Sequence, residues 1–252
     1  MRGGTWRSGE AEAAPGELGP VSRALYALAI AATPVLAAHH LAGWLPLGAV
    51  DAVLALAGVI LGALAADLLT GVVHWACDTW GDEHTRWVGP GLIRSFREHH
   101  DAPRAMLAHD WIEVNGQSAA GASAVFSLLA LPAAQDWLAD RVFVAALAWS
   151  MLAAASLANQ NHQWSHMPAP PRWVSALQRA GLILSPARHA RHHRSPYTGA
   201  YCVTGGWLDR ALDAAGFWRA LERAITRATG AMPRSESLWS APDRSTERGA
   251  RR

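Results

Sequence analysis

The sequence predicts an all-α integral membrane protein: four transmembrane helices capped by a cytosolic, histidine-rich helical region with interfacial amphipathic helices. Three observations lead there. Apolar residues make up 51% of the chain and charged residues only 17%, a balance that belongs to lipid-facing proteins. Four long apolar segments cover residues 25–44, 49–73, 118–134 and 142–158. Ten of the twelve histidines lie on the side of these segments where the arginines also gather.

Residues 1–23 mix Arg2, Arg7 and Arg23 with Glu10, Glu12 and Glu17 before a long apolar run. That fits a secretory signal poorly, and the stretch reads as a disordered cytosolic tail. Residues 24–230 form the membrane domain, and residues 231–252, polar from Met232, read as a second disordered tail. Crossing about 30 Å of hydrocarbon takes roughly 20 helical residues; the first two segments meet that length and the last two sit at its lower limit. The four are expected as two helical hairpins. The loop "LPLG" carries no arginine and the loop before the fourth segment only Arg141, whereas Arg86, Arg94, Arg97, Arg104 and the arginine-rich last third lie on the other side. The positive-inside rule then puts both termini and the loop from about 77 to 115 in the cytosol.

Three prolines in "MPAPPRW" end the fourth helix. Beyond them, Trp173, Val174, Leu177 and Leu182 recur at helical spacing, and within residues 217–229 Trp218, Leu221 and Ile225 oppose Arg219, Arg223 and Arg227. Both stretches read as amphipathic helices in the interface, with ordinary core packing as the alternative. A net charge of +2 with basic residues gathered beside apolar segments argues against nucleic-acid binding. Only Cys77 and Cys202 are present, so a disulfide scaffold is not indicated and neither cysteine has ligand spacing.

Four clusters carry helical arithmetic: "HWACD" (His74, Asp78), "REHH" (His99, His100), "HQWSH" (His162, His166) and "HARHH" (His189, His192, His193). Residues at i and i+3 or i+4 share a helix face, so each cluster can aim side chains at one point. One such pair alone is more often packing than ligand. The conjunction of all four on one membrane face points to metal, and one ion cannot use so many imidazoles, so two ions are implied. A thiolate-free imidazole set suits iron, copper, zinc or nickel; spacing does not choose among them. His39, His40 and His84 stay outside the pattern. Asp67, seven residues before His74 on the same face, sits where an unpartnered carboxylate is costly. A metal transporter would need ionisable residues along the middles of its spans; these are almost purely Ala, Leu and Val.

"ADLLTGVVHWACDTWG", "FREHH", "HDWIEVNG", "NQNHQWSH", "RHARHHRSPYTGAYCVTGGW" and "GFWRALE" follow one another in the order and register of the plasmanylethanolamine desaturase family of lipid desaturases, which this chain resembles over about residues 67–233. The resemblance implies a membrane di-iron enzyme that uses dioxygen and two electrons to desaturate a lipid. Its iron-site histidines match His74, His99, His100, His109, His162, His166, His189, His192 and His193, with Asp78 where related desaturases often have another histidine. His109 enters on the resemblance alone. Asp67, Asn115 or Asn161 can orient imidazoles through their second ring nitrogen, and Arg188, Arg191 and Arg194 can hold a lipid phosphate, bulk anionic headgroups being the alternative. Arg188 stands where animal relatives often have histidine, and Gln117 where an acidic residue is usual; both departures bear on substrate preference.

The reaction implied is removal of two hydrogens from the first two carbons of an O-alkyl chain of an ether phospholipid, giving the vinyl ether of a plasmalogen. The chain has no flavin or haem motif, so electrons are expected from a separate cytochrome b5 or ferredoxin with its reductase. The alternative enzyme is an acyl-lipid desaturase or hydroxylase, since plant members act on an acyl chain of phosphatidylglycerol.

Overall fold

The computed structural model describes residues 18–42 and 47–234, which include eleven α-helices and no strand. The tails expected to be disordered lie largely outside these residues. Apolar composition drives four helical stretches: α1 (Pro20–Ala42), α2 (Ala49–Thr79), α4 (Trp111–Leu129) with α5 (Pro132–Ala139), and α6 (Val142–Ser156) with α7 (Ala158–His166). Between α2 and α4 lie a short π-helical turn, α3 (Arg94–Asp101) and a 3₁₀ turn. After α7 come α8 (Arg172–Arg179), α9 (Pro186–His189), α10 (Asp209–Ala214) and α11 (Phe217–Thr229).

Among the described residues, three helices are long and apolar enough to cross a membrane, Pro20–His40, Ala49–Thr79 and Val142–His166. A fourth crossing exists only if α4 and α5, bent by 76°, are one span. The third span expected at 118–134 falls on this bent pair. Pro132 has no N–H to donate and forces Leu131 into an extended conformation (ψ 141°), which stops α4. At its other end α4 starts earlier than the hydropathy implies, because Asp110 accepts from the Ile112 and Glu113 amides while Glu113 reaches back, a capping box.

The expected hairpins are not the packing units. The closest helix pairs are α2 with α6 and α1 with α4. Gly58 and Gly62 explain the first pair: a Cβ on Gly58 would sit 2.5 Å from the Phe143 carbonyl and 2.9 Å from Ala146 Cβ, so this GxxxG strip lets the backbones touch. In the second pair the Tyr26 ring lies on Gly116, Thr33 Oγ1 is 2.8 Å from Ser123 Oγ, and Arg23 pairs with Asp110.

The second amphipathic helix is found at its expected bounds, but its apolar face is used inside the protein. Trp218 is buried against Trp75 and Tyr201, with Leu221 and Ile225 packed on the same cluster. Core packing, and not lipid, explains the pattern of α11. On α8, Val174 and Gln178 turn inward while Trp173 remains exposed. Within the stretch expected as a tail from residue 231, the Arg234 amide donates to the Thr79 carbonyl at 2.8 Å.

Candidate metal centre

With 31 residues, α2 is roughly 46 Å long at 1.5 Å per residue, well beyond the hydrocarbon thickness of about 30 Å. Its last turns carry His74 and Asp78 past the apolar stretch on one face. Because α7 prolongs α6 and α6 lies along α2, His162 and His166 arrive at the same end. His99 and His100 close the last turn of α3. Ser185 caps α9, its hydroxyl accepting from the Arg188 amide at 3.3 Å, and Pro186 occupies the first turn; this single turn and the next present His189, His192 and His193.

These side chains form two sets whose donor atoms lie within 4.8 Å of one another: His99, His162, His166, His189 and His193, and beside it His74, Asp78, His100 and His192. In the first, Nε2 of His162 is 2.9 Å from that of His99 and 2.8 Å from that of His189. His193 Nε2 is 2.9 Å from His189 Nε2 and 3.1 Å from His99 Nε2, and His166 Nε2 is buried with no hydrogen-bond partner. A ring nitrogen carries either a proton or a lone pair, so nitrogens that each touch two others cannot be satisfied by hydrogen bonding. Lone pairs converging on one cation can: bonds of about 2.1 Å give an octahedral edge of about 3 Å. In the second set, Asp78 Oδ2 is 3.0 Å from His100 Nε2, 3.4 Å from His192 Nε2 and 3.5 Å from His74 Nε2. The donor set fits two first-row ions, and both cysteines, buried, lie outside it.

Backbone carbonyls fix two of the imidazoles. His74 Nδ1 is 3.0 Å from the Tyr201 carbonyl and His192 Nδ1 is 2.9 Å from that of Gly199. Each Nδ1–H donates to its carbonyl, leaving the Nε2 lone pair for the site. The carbonyls belong to a loop with positive φ at Tyr197 (61°) and Ala200 (54°). Asp213 Oδ1 holds the Ala200 amide at 3.2 Å and Asp209 Oδ1 the Cys202 amide at 3.0 Å. Sequence reasoning missed Gly199, Tyr201, Asp209 and Asp213, because the loop acts through main-chain atoms that no residue pattern displays; the only hint was the glycine in "SPYTGAYC".

Burial and neighbouring imidazoles push His99 and His189 well below the usual histidine range and lower His193 to about 3. Charged imidazolium is disfavoured here, which keeps nitrogens available as donors. Burial raises Asp209 to about 6.

Several other expected site residues have partners elsewhere. His109 joins neither set; its Nδ1 lies 3.2 Å from Glu113 Oε2. Asp67 orients no imidazole: its oxygens accept the Gly205, Gly206 and Leu208 amides at 2.8, 2.9 and 3.1 Å. Asn115 donates to Gln160 and to the Trp111 carbonyl, and Asn161 to the Thr204 carbonyl at 2.9 Å. All three brace the scaffold. Arg188 is spent on the Gly205 and Gly181 carbonyls, at 2.7 and 3.4 Å. Arg191 pairs with Asp213 at 3.2 Å, and Arg194 is exposed. His40, left out of the site, is buried between the Phe126 carbonyl and Gln135. A cavity of about 30 Å³ between Asp78, Tyr201 and Glu222 has room for about two waters.

Residues 63–236 match the family model of the lipid desaturase domain. Over 73% of the chain and 65% of the relative, it is 42% identical to plasmanylethanolamine desaturase of Myxococcus xanthus. It is 37% identical to plasmanylethanolamine desaturase 1 of Mus musculus, over 73% of the chain and 70% of the relative. To the chloroplastic fatty acid desaturase 4 of Arabidopsis thaliana it is 36% identical, over 75% of the chain and 56% of the relative. No solved structure matches. With two metal-ready donor sets at the end of membrane-length helices and a family match covering residues 63–236, this chain belongs to the lipid desaturase family.

Proposed function

We propose that the protein is an oxygen-dependent di-iron desaturase that converts the O-alkyl chain of an ether phospholipid to a vinyl ether at its first two carbons. The observation that carries this reading is the pair of adjoining, sulfur-free donor sets at the ends of apolar helices. His99, His162, His166, His189 and His193 would hold one iron, and His74, Asp78, His100 and His192 the other. Iron with dioxygen supplies the oxidising power to take hydrogen from an alkyl chain, which is too weak an acid for any side-chain base.

The chain's own residues arrange the rest. His74 and His192 keep their protons on Nδ1, against the Tyr201 and Gly199 carbonyls, so their Nε2 lone pairs face the site. Asp78 is the one anion among the nine donors, which leaves a loaded centre strongly cationic. Arg194, exposed just after the "HARHH" turn, is the candidate for the lipid phosphate. The arginine distribution supports a cytosolic site, where a separate cytochrome b5 or ferredoxin delivers electrons. An ether bond lies just below the headgroup, at the depth of a site that caps the helices.

The names of the Myxococcus and mouse relatives favour an alkyl substrate, and that of the Arabidopsis relative supports acyl-chain desaturation as the second reading. Expression in a plasmalogen-free host supplied with alkyl phospholipid separates them. Lipids that release aldehyde on mild acid are the expected product; a new acyl double bond with no acid-labile lipid would replace the first reading by the second.

A further inference from the structure

The motif "GFWRALE" forms the first half of α11 and holds no metal donor. Its helix has two unlike faces. The inner one carries Trp218, whose ring centroid is 5.0 Å from that of Tyr201 and 6.0 Å from that of Trp75. Tyr201 in turn lies 5.0 Å from the His192 ring and 5.7 Å from the His74 ring. An unbroken column of π systems thus runs from the underside of α11 to two donors of the second set. The outer face carries Arg219, Arg223 and Arg227 at i, i+4 and i+8, one stripe along the helix. Arg223 and Arg227 are exposed and make no ion pair among the described residues.

We infer that this arginine stripe docks an acidic one-electron carrier protein. The inference rests on the proposed desaturase reading, which requires a separate donor. Each encounter oxidises one carrier by one electron; two encounters, with two protons from solvent and two hydrogens from the lipid, balance the reduction of one dioxygen to two waters. A basic stripe steers an acidic partner at long range and fixes its orientation through rim contacts, and redox partners use small, transient interfaces of this kind. Anionic membrane is the other occupant a basic helix can meet, but membrane-surface helices bind by burying an apolar face. In α11 that face is occupied: Trp218 is 2% exposed, and Leu221 and Ile225 pack on the same cluster.

The test uses the full-length, iron-loaded protein in zwitterionic nanodiscs, with the soluble haem domain of cytochrome b5 and a [2Fe–2S] ferredoxin as probes. For at least one probe, binding and reoxidation should weaken steeply with salt. In the double variant Arg223→Glu/Arg227→Glu, affinity for that probe should fall at least tenfold at low salt and the salt dependence should flatten. Iron content, and turnover with a small-molecule reductant, should stay at the parent level. Unchanged affinity and salt dependence in the variant, or no salt-dependent binding of either probe to the parent, overturns the inference. So does a variant that loses only its attachment to vesicles containing anionic lipid while carrier reoxidation persists. A parent that reoxidises the carrier in an Arg223- and Arg227-dependent way but desaturates no lipid supports the docking surface and rejects the proposed reaction instead.

Discussion

At the residue scale, carbonyls outside their own clusters hold the His74 and His192 donors, and substitutions separate donors from neighbours. Residues that merely orient a metal ligand cost about 10–100-fold in metal affinity when removed, so His166→Ala or His192→Ala, which delete a donor, should cost more and empty a set. His109→Ala and His39→Ala should keep metal near the parent level, because His109 rests on Glu113 and His39 belongs to neither set. Elemental analysis of purified protein decides. Loss of metal in His109→Ala would return that residue to the ligands. Acid acts on the same nitrogens. His193 falls from 6.5 to about 3 in the folded state, and His99 and His189 move the same way. A lowered folded value contributes stability that is present above pH 6.5 and lost as pH falls toward 3. Asp209, raised from 3.8 to about 6, has the opposite sign, its contribution being lost as pH rises through 6, but it is one group against three. Metal-free protein should therefore melt at lower temperature at pH 5 than at pH 7.5, and bound metal should be released over the same acid range.

At the element scale, the approach of α2 to α6 decides whether His74 and Asp78 meet His162 and His166. Gly58→Leu should be destabilising by at least the roughly 1–3 kcal/mol of an overpacked core, because even a Cβ at this position would sit 2.5 Å from the Phe143 carbonyl. Gly121→Ala is the control: nothing lies within 4 Å of a Cβ there, and Ala improves a helix interior by about 0.5–1 kcal/mol. Thermal melts in detergent compare the two. Equal stability would mean the helices do not touch along the glycine strip. The elements were largely legible: α11 appears at its expected bounds, whereas α4 starts earlier than hydropathy placed it, at the Asp110 capping box. Lipid hydropathy could not reveal that Pro132 breaks the third stretch into a bent pair.

At the scale of the whole molecule, both donor sets lie at one end of the membrane helices, so the topology has one testable consequence. Cys77 and Cys202 are buried, leaving a background low enough for cysteine labelling. Arg104→Cys in intact cells should react with a membrane-impermeant maleimide only after the membrane is opened, as the positive-inside rule requires. Labelling from outside would move the site to the opposite face.

The sequence by itself determined the chemistry at hand: helical spacing within each cluster, their segregation to one membrane side and the lack of thiolate spacing are local properties, carried by residue type and period. Eight of the nine expected histidines, with Asp78, fall into the two sets for that reason. Only the tertiary structure decided how these donors divide between the sets and that His109 lies against Glu113 outside both, because those facts depend on separations between helices that are far apart in the chain. It also turned Asp67, Asn115, Asn161 and Arg188 from candidate site residues into braces. A buried polar side chain takes whichever unpaired amide or carbonyl lies nearest, and the backbone that offers it comes from distant loops whose course no local pattern records.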